Sequence, residues 1–111
     1  MKETQIQSII IDYLSYLENQ GKLFFQRTNN TAIYQENRYR RLAKGQKKGF
    51  PDIILCYKGY FVGLEVKTDK GIQSIEQKEL EETIKRNYGY YFIVRSLEDV
   101  KEVLEKLNEV I

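Results

Sequence analysis

The 111-residue sequence predicts an α/β fold of order αβββαβα, a central mixed sheet flanked by helices. Three observations carry this reading. Apolar residues recur at helical spacing towards both ends of the chain, and two β-rich runs in the middle are joined by Lys58-Gly59. A capped helical stretch then separates that pair from one last β-rich run. The length fits a single domain over 1–111. Hydrophobic residues at 41%, with 9 Tyr and 5 Phe, give enough apolar surface for a folded core rather than a disordered chain.

The elements follow in order. Ile6, Ile9, Ile10, Tyr13, Leu14 and Leu17 form one apolar stripe at helical spacing, and Gly21 ends it. Continued towards the N-terminus, the stripe reaches Glu3, so this acid lies near the core-facing side; it is equally an acid of the first turn, favoured by the helix dipole. Residues 22–28 read as a strand, with Asn29-Asn30 as its turn. Residues 31–50 are polar and basic, and a structureless loop of that length is uncommon, so partial strand character is expected there. Residues 53–57 and 60–67 form a hairpin closed by Lys58-Gly59. A helix runs over about 74–88 and opens on the capping-box pattern Ser74-Ile75-Glu76-Gln77. Residues 90–94 make the last strand. Ser96-Leu97-Glu98-Asp99 caps a final helix that is expected to bury Leu97, Val100, Leu104, Leu107 and Ile111.

Composition excludes several chemistries. The chain has no histidine and a single cysteine, Cys56, so Ser-His-Asp and Cys-His catalysis, His-ligated metals and Cys-cluster metal sites are ruled out. Cys56 reads as a small core residue. No run of about 18 apolar residues occurs, which predicts a soluble, cytoplasmic protein with no membrane partner. Any catalysis must use carboxylates and lysine, with or without a metal.

The net charge of +2 conceals a local excess. Residues 22–51 carry Lys22, Arg27, Arg38, Arg40, Arg41, Lys44, Lys47 and Lys48 against Glu36 alone. Interleaved with aromatic residues, the cluster Arg38, Arg40, Arg41, Lys44, Lys47 and Lys48 reads as a surface for a polyanion, with a solvated basic loop as the alternative. Tyr34 and Tyr39 are available to stack on unpaired bases or to pack.

The hairpin register is the sharpest inference. A two-residue loop pairs Tyr57 with Tyr60 and Ile53 with Leu64, which sets Asp52 opposite Glu65. Opposed Cβ atoms stand about 4.5–5.5 Å apart, where like charges are destabilising. Strand alternation brings Lys67 to the same face. Two carboxylates and an amine at the end of a central hairpin suit a hard cation such as Mg²⁺; the alternative is a charge cluster in which Lys67 neutralises one acid.

Gly49-Phe50-Pro51-Asp52 followed by Glu65-Val66-Lys67 closely resembles the PD-(D/E)xK nuclease superfamily. With Gly63, Thr68, Gly71, Ser74, Gln77 and Val94-Arg95-Ser96 added, nearly the whole chain is similar to the VRR-NUC (virus-type replication-repair nuclease) group. The resemblance implies a restriction-endonuclease-like core and a phage-like origin. It implies Asp52 and Glu65 as metal-binding carboxylates, joined by the Val66 backbone carbonyl. Lys67 would position the attacking water, Glu3 would support the metal through its water shell, and Gln77 would belong to the catalytic set. Gln77 also fits the cap with Ser74, and both roles stay open; Ser74 itself reads as a cap. The activity implied is Mg²⁺-dependent hydrolysis of DNA phosphodiesters, with Mn²⁺ as a substitute. Small stand-alone members resemble Holliday-junction resolvases, which suggests branched DNA and a homodimer carrying two symmetry-related sites. Two alternatives remain: a restriction-type or nicking nuclease on linear duplex, and a DNA-binding protein that retains the fold without catalysis.

Overall fold

The computed structural model describes residues 1–28 and 42–110, with the backbone alone at 34–35 and 38–39. The elements are α1 (Glu3–Asn19), β1 (Phe24–Arg27), β2 (Tyr34–Gln35), β3 (Arg38–Tyr39), β4 (Ile53–Tyr57) and β5 (Tyr60–Val66), then α2 (Ile75–Arg86), β6 (Tyr90–Val94) and α3 (Leu97–Val110). The αβββαβα order is present, with the two-residue strands β2 and β3 paired as a separate small ribbon between β1 and β4. That ribbon is the strand character expected within 31–50. The turn assigned to Asn29-Asn30 lies outside the described residues.

The main sheet has the order β1-β4-β5-β6. β4 and β5 are its centre and pair antiparallel from Tyr57↔Tyr60 to Ile53↔Leu64, which is the register the two-residue loop dictates. Lys58 and Gly59 both adopt positive φ, 53° and 85°, as a tight hairpin turn of this kind requires. β6 joins β5 in parallel, Glu65 opposite Ile93, so the connection must cross over, and α2 is that crossover.

Alternation along the central strands divides the sheet into two faces. Ile53, Leu55 and Tyr57 of β4, with Val62, Leu64 and Val66 of β5, are buried beneath α1 and α3. From α1 this layer takes Ile6, Ile10, Leu14 and Leu17; from α3 it takes Val100, Val103, Leu104 and Leu107. The expected α3 stripe therefore gains Val103. Leu97 is only half-buried, because it stands at the first turn of the helix, and Ile111 lies outside the described residues. Cys56, on the opposite side of β4, is half-buried rather than a core residue.

The second face carries Glu65, Gly63 and Tyr91 and is covered by α2. α2 ends at Arg86, short of Tyr88, which takes a left-handed φ of 67° and is 89% exposed. Tyr88 therefore does not share the apolar face of Leu80 and Ile84. Among the described residues no helix is long and apolar enough to cross a membrane.

Candidate active site

The edge where β4 begins and β5 ends holds the acids. Asp52 directly precedes β4, and its main chain continues the β1 pairing: Thr28 N–H donates to Asp52 O at 2.9 Å. The Thr28 hydroxyl donates to the carbonyl of Pro51, so the Pro51-Asp52 peptide is held from the β1 side. Across the hairpin, Val66 N–H donates to Asp52 Oδ2 at 2.8 Å, which turns the carboxylate towards β5.

Glu65 is the buried member, 2% exposed. Gln77 Nε2 donates to Glu65 Oε2 at 2.9 Å. Gln77 Oε1 accepts the Ser74 N–H at 2.8 Å while Ser74 Oγ accepts the Gln77 N–H at 3.1 Å. This capping box fixes which way the amide faces, so the nitrogen is the atom turned to Glu65. The cap and the contact with Glu65 coexist in one side chain.

Among the described residues no N–H or hydroxyl group donates to the buried Glu65 Oε1. Burial, then the charge of Asp52 and a hydrogen bond with it, push the Glu65 carboxyl up to about 9; Lys67 opposes this and Glu3 adds to it. Asp52, Lys67 and Glu3 thus all act on Glu65. Two carboxylates this close are tolerated when they share a proton or a cation. Lys67, half-buried just past β5, makes no ion pair among the described residues, so it does not neutralise either acid by direct contact. Glu3 occupies the first turn of α1, half-buried and near enough to be felt at Glu65.

The donor set fits a small hard cation. It offers Asp52, the orphaned oxygen of Glu65 and a strand-end backbone at Val66, and Mg²⁺ typically takes only one or two carboxylates from a protein. Among the described residues no three acidic, Cys or His side chains form one cluster, so Glu3 does not join Asp52 and Glu65 in a three-carboxylate group.

The glycines of the motif have steric reasons. Gly49, at φ 72°, lies against the first turn of α2: a Cβ there would stand 2.6 Å from Glu76 C and 2.7 Å from Gln77 N. Gly63 faces the Pro51 ring, where a Cβ would stand 2.7 Å from Cγ. The Gly49–Asp52 segment is therefore wedged between α2 and β5.

Of the basic cluster, Lys44, Lys47 and Lys48 are exposed on the approach to Gly49. Arg38 is described only as backbone in β3, and Arg40 and Arg41 lie outside the described residues.

Four residues around the site have surroundings that no sequence pattern foretells. Tyr91 is buried beside Gly63, and Gln73 Nε2 reaches both its hydroxyl, at 3.2 Å, and Glu81 Oε1, at 2.9 Å. Burial pushes the Tyr91 phenol up; Gln73 opposes this, and the charges of Glu65, Glu81 and Asp52 reinforce it. Gln7, one turn beyond Glu3, is 6% exposed, with Oε1 unpartnered among the described residues; the series 3, 7, 10, 14 is its only sequence signal. Arg95 binds the turn after Lys67, a contact without any periodic signal.

Neither a protein-family profile nor a curated protein matches the sequence. Solved structures do. A chain described as "VRR_NUC domain" superposes with a TM-score of 0.66 at 17% identity, covering 93% of this chain and 94% of its own. A second, "VRR_NUC domain protein", gives 0.68 at 17% identity over 95% and 86%. The chain has the fold of these VRR_NUC domains.

Proposed function

We propose that this nuclease fold serves a Mg²⁺-dependent DNA endonuclease, selective for branched DNA such as Holliday junctions and active as a homodimer. The observation that carries the reading is the Asp52–Glu65 pair, in which the buried Glu65 Oε1 receives no N–H or hydroxyl donor among the described residues. A divalent cation held there neutralises the scissile phosphate and lowers the pKa of a water at neutral pH.

The residues of the chain divide the remaining work. Asp52, whose Oδ2 accepts the Val66 N–H, and Glu65, whose Oε2 accepts from Gln77, would hold the cation, with the Val66 carbonyl as a further ligand. Lys67 carries an ammonium uncommitted to either acid, available to orient water and to stabilise the charge that develops on the phosphate. Glu3, whose charge is felt at Glu65, would support the cation through its water shell. Lys44, Lys47 and Lys48, with Arg38, Arg40 and Arg41, bind the DNA backbone.

Branched DNA and the dimer are linked. One chain provides one carboxylate pair, and paired cuts across a two-fold junction need two pairs related by symmetry. The test is cleavage of four-way junction, splayed, single-stranded and linear duplex DNA in Mg²⁺, Mn²⁺ or EDTA, beside Lys67→Ala and Asp52→Asn. Metal-dependent junction cleavage, abolished in Asp52→Asn, which still binds DNA, and reduced in Lys67→Ala to a trace that single-turnover kinetics can follow, is the expected result. Cutting of linear duplex alone supports a restriction-type or nicking enzyme, and binding without cutting in any metal leaves a DNA-binding protein. Sedimentation with junction present is expected to give a dimer; a monomer at micromolar concentration overturns that part.

A further inference from the structure

The turn that follows Lys67 is gripped by a single side chain. Lys67 N–H donates to Val94 O at 3.0 Å, the last bond tying it to β6. The chain then turns over 68–71, closed by Gly71 N–H donating to Thr68 O at 3.1 Å. Arg95, immediately after β6, sends Nη1 to the carbonyls of Thr68, Gly71 (2.9 Å) and Asp69 (3.3 Å). Charge-assisted bonds of this kind are roughly twice as strong as neutral ones, and three acceptors converging on one nitrogen fix the turn as a unit.

Arg95 is itself anchored. Its N–H donates to Asp99 Oδ2 at 2.8 Å, and Asp99 N–H donates to Ser96 Oγ at 3.2 Å, so the guanidinium is carried on the start of α3. On its other side the turn meets Lys67: a Cβ on Gly71 would stand 3.3 Å from both Cβ and Cδ of Lys67. Hydrogen bonds thus link the start of α3 through Arg95 to Gly71, whose open side faces the lysine stem.

We propose that Arg95 is a positioning residue for Lys67, clamping the 68–71 turn so that Gly71 braces the lysine stem and holds its ammonium beside Glu65. This rests on the nuclease reading for the role of Lys67, but the contacts themselves do not. Misplacing a reacting group by about 1 Å can slow a reaction about a hundredfold, so Arg95→Met is expected to slow single-turnover junction cleavage about ten- to hundredfold. Junction affinity in EDTA should stay within about twofold, because Arg95 is spent on the turn rather than on DNA.

The test is a double-mutant cycle with a second, activity-free reading. If Arg95 acts through Lys67, adding Arg95→Met to Lys67→Ala slows cleavage no further. Additive losses, or full activity of Arg95→Met, overturn the proposal. Gly71→Ala, which presses on the lysine stem from the turn, gives the same non-additive loss if Arg95→Met fails to fold. The Lys67 side-chain ammonium signal, identified by its loss in Lys67→Ala, is followed by NMR in metal-free protein. It is expected to shift or broaden in Arg95→Met and in Gly71→Ala, and an unchanged signal overturns the proposal. That reading stands even if the wild-type protein cuts no DNA, which would refute only the nuclease reading.

Discussion

Gln77 Nε2 donates to Glu65 Oε2 at 2.9 Å while Gln77 Oε1 accepts the Ser74 N–H at 2.8 Å, so one amide both starts α2 and holds a carboxylate of the site. The two bonds reinforce each other, since the cap restricts the rotamer that reaches Glu65. Gln77→Ala removes both. Loss of capping costs about 1 kcal/mol and an abandoned buried acceptor about 1–3 kcal/mol, so urea denaturation is expected to show a loss of about 2–4 kcal/mol. Ser74→Ala removes only one bond of the cap and is expected to lose about 1 kcal/mol. Equal effects of the two variants would mean that the Glu65 bond contributes nothing to folding.

The same helix turn explains Gly49. Its φ of 72° disfavours any side chain, and a Cβ would stand 2.6–2.8 Å from backbone atoms of Glu76 and Gln77. Backbone at a helix start cannot rotate aside as a side-chain tip can. Gly49→Ala is therefore expected to destabilise by at least about 2 kcal/mol, combining left-handed strain of about 1–2 kcal/mol with the displacement of α2. Because α2 carries Gln77, the variant should also lose cleavage activity beyond what its unfolded fraction accounts for.

The hairpin was legible because two-residue turns with glycine set register, and register alone set Asp52 opposite Glu65. The stripe of α1 and the capping box of α2 were legible for similar reasons: each is a local pattern of period or spacing. What stayed hidden depends on contacts between distant segments. Nothing near Arg95 in sequence points to the carbonyls of Thr68 and Gly71 some 25 residues earlier. Gln7 sat on the α1 stripe as an apparent polar interruption, and only its burial marks it. The strands β2 and β3 are two residues each, too short to leave an alternating pattern. Tyr88 was misplaced because a helical period cannot show where a left-handed residue will end the helix.

Glu65 makes stability depend on pH and metal together. In the folded, metal-free chain its carboxyl is pushed up to about 9 from the ordinary 4.5, chiefly by burial. Between those values the folded chain keeps a proton that the unfolded chain has released, so stability falls as pH rises. Urea denaturation in EDTA is expected to show this decline from about pH 5 to about pH 9, and Glu65→Gln to flatten it. Adding Mg²⁺ should raise the stability of the wild type most at the alkaline end, where the proton is most easily displaced. A flat wild-type profile in EDTA would refute the burial argument.

The basic segment is best tested by its salt dependence. Lys44, Lys47 and Lys48 are exposed and lead into Gly49, whose contact with α2 brings the segment beside Gln77 and the carboxylates. Contacts with phosphates release counterions, and each lost contact lowers the slope of log K against log salt by about 0.9 for duplex DNA. Neutralising Arg40, Arg41, Lys47 and Lys48 together is expected to weaken binding uniformly across sequences and to reduce that slope by about 2–4, read by anisotropy of a labelled junction in EDTA. Lys101 and Lys106 provide the control, because α3 covers the face of the sheet opposite Glu65 and Gln77. Their neutralisation changes net charge by a comparable kind of substitution without touching the segment that leads to the acids. A slope unchanged by the fourfold variant, or lowered as much per charge by the α3 pair, would place the DNA elsewhere on the molecule.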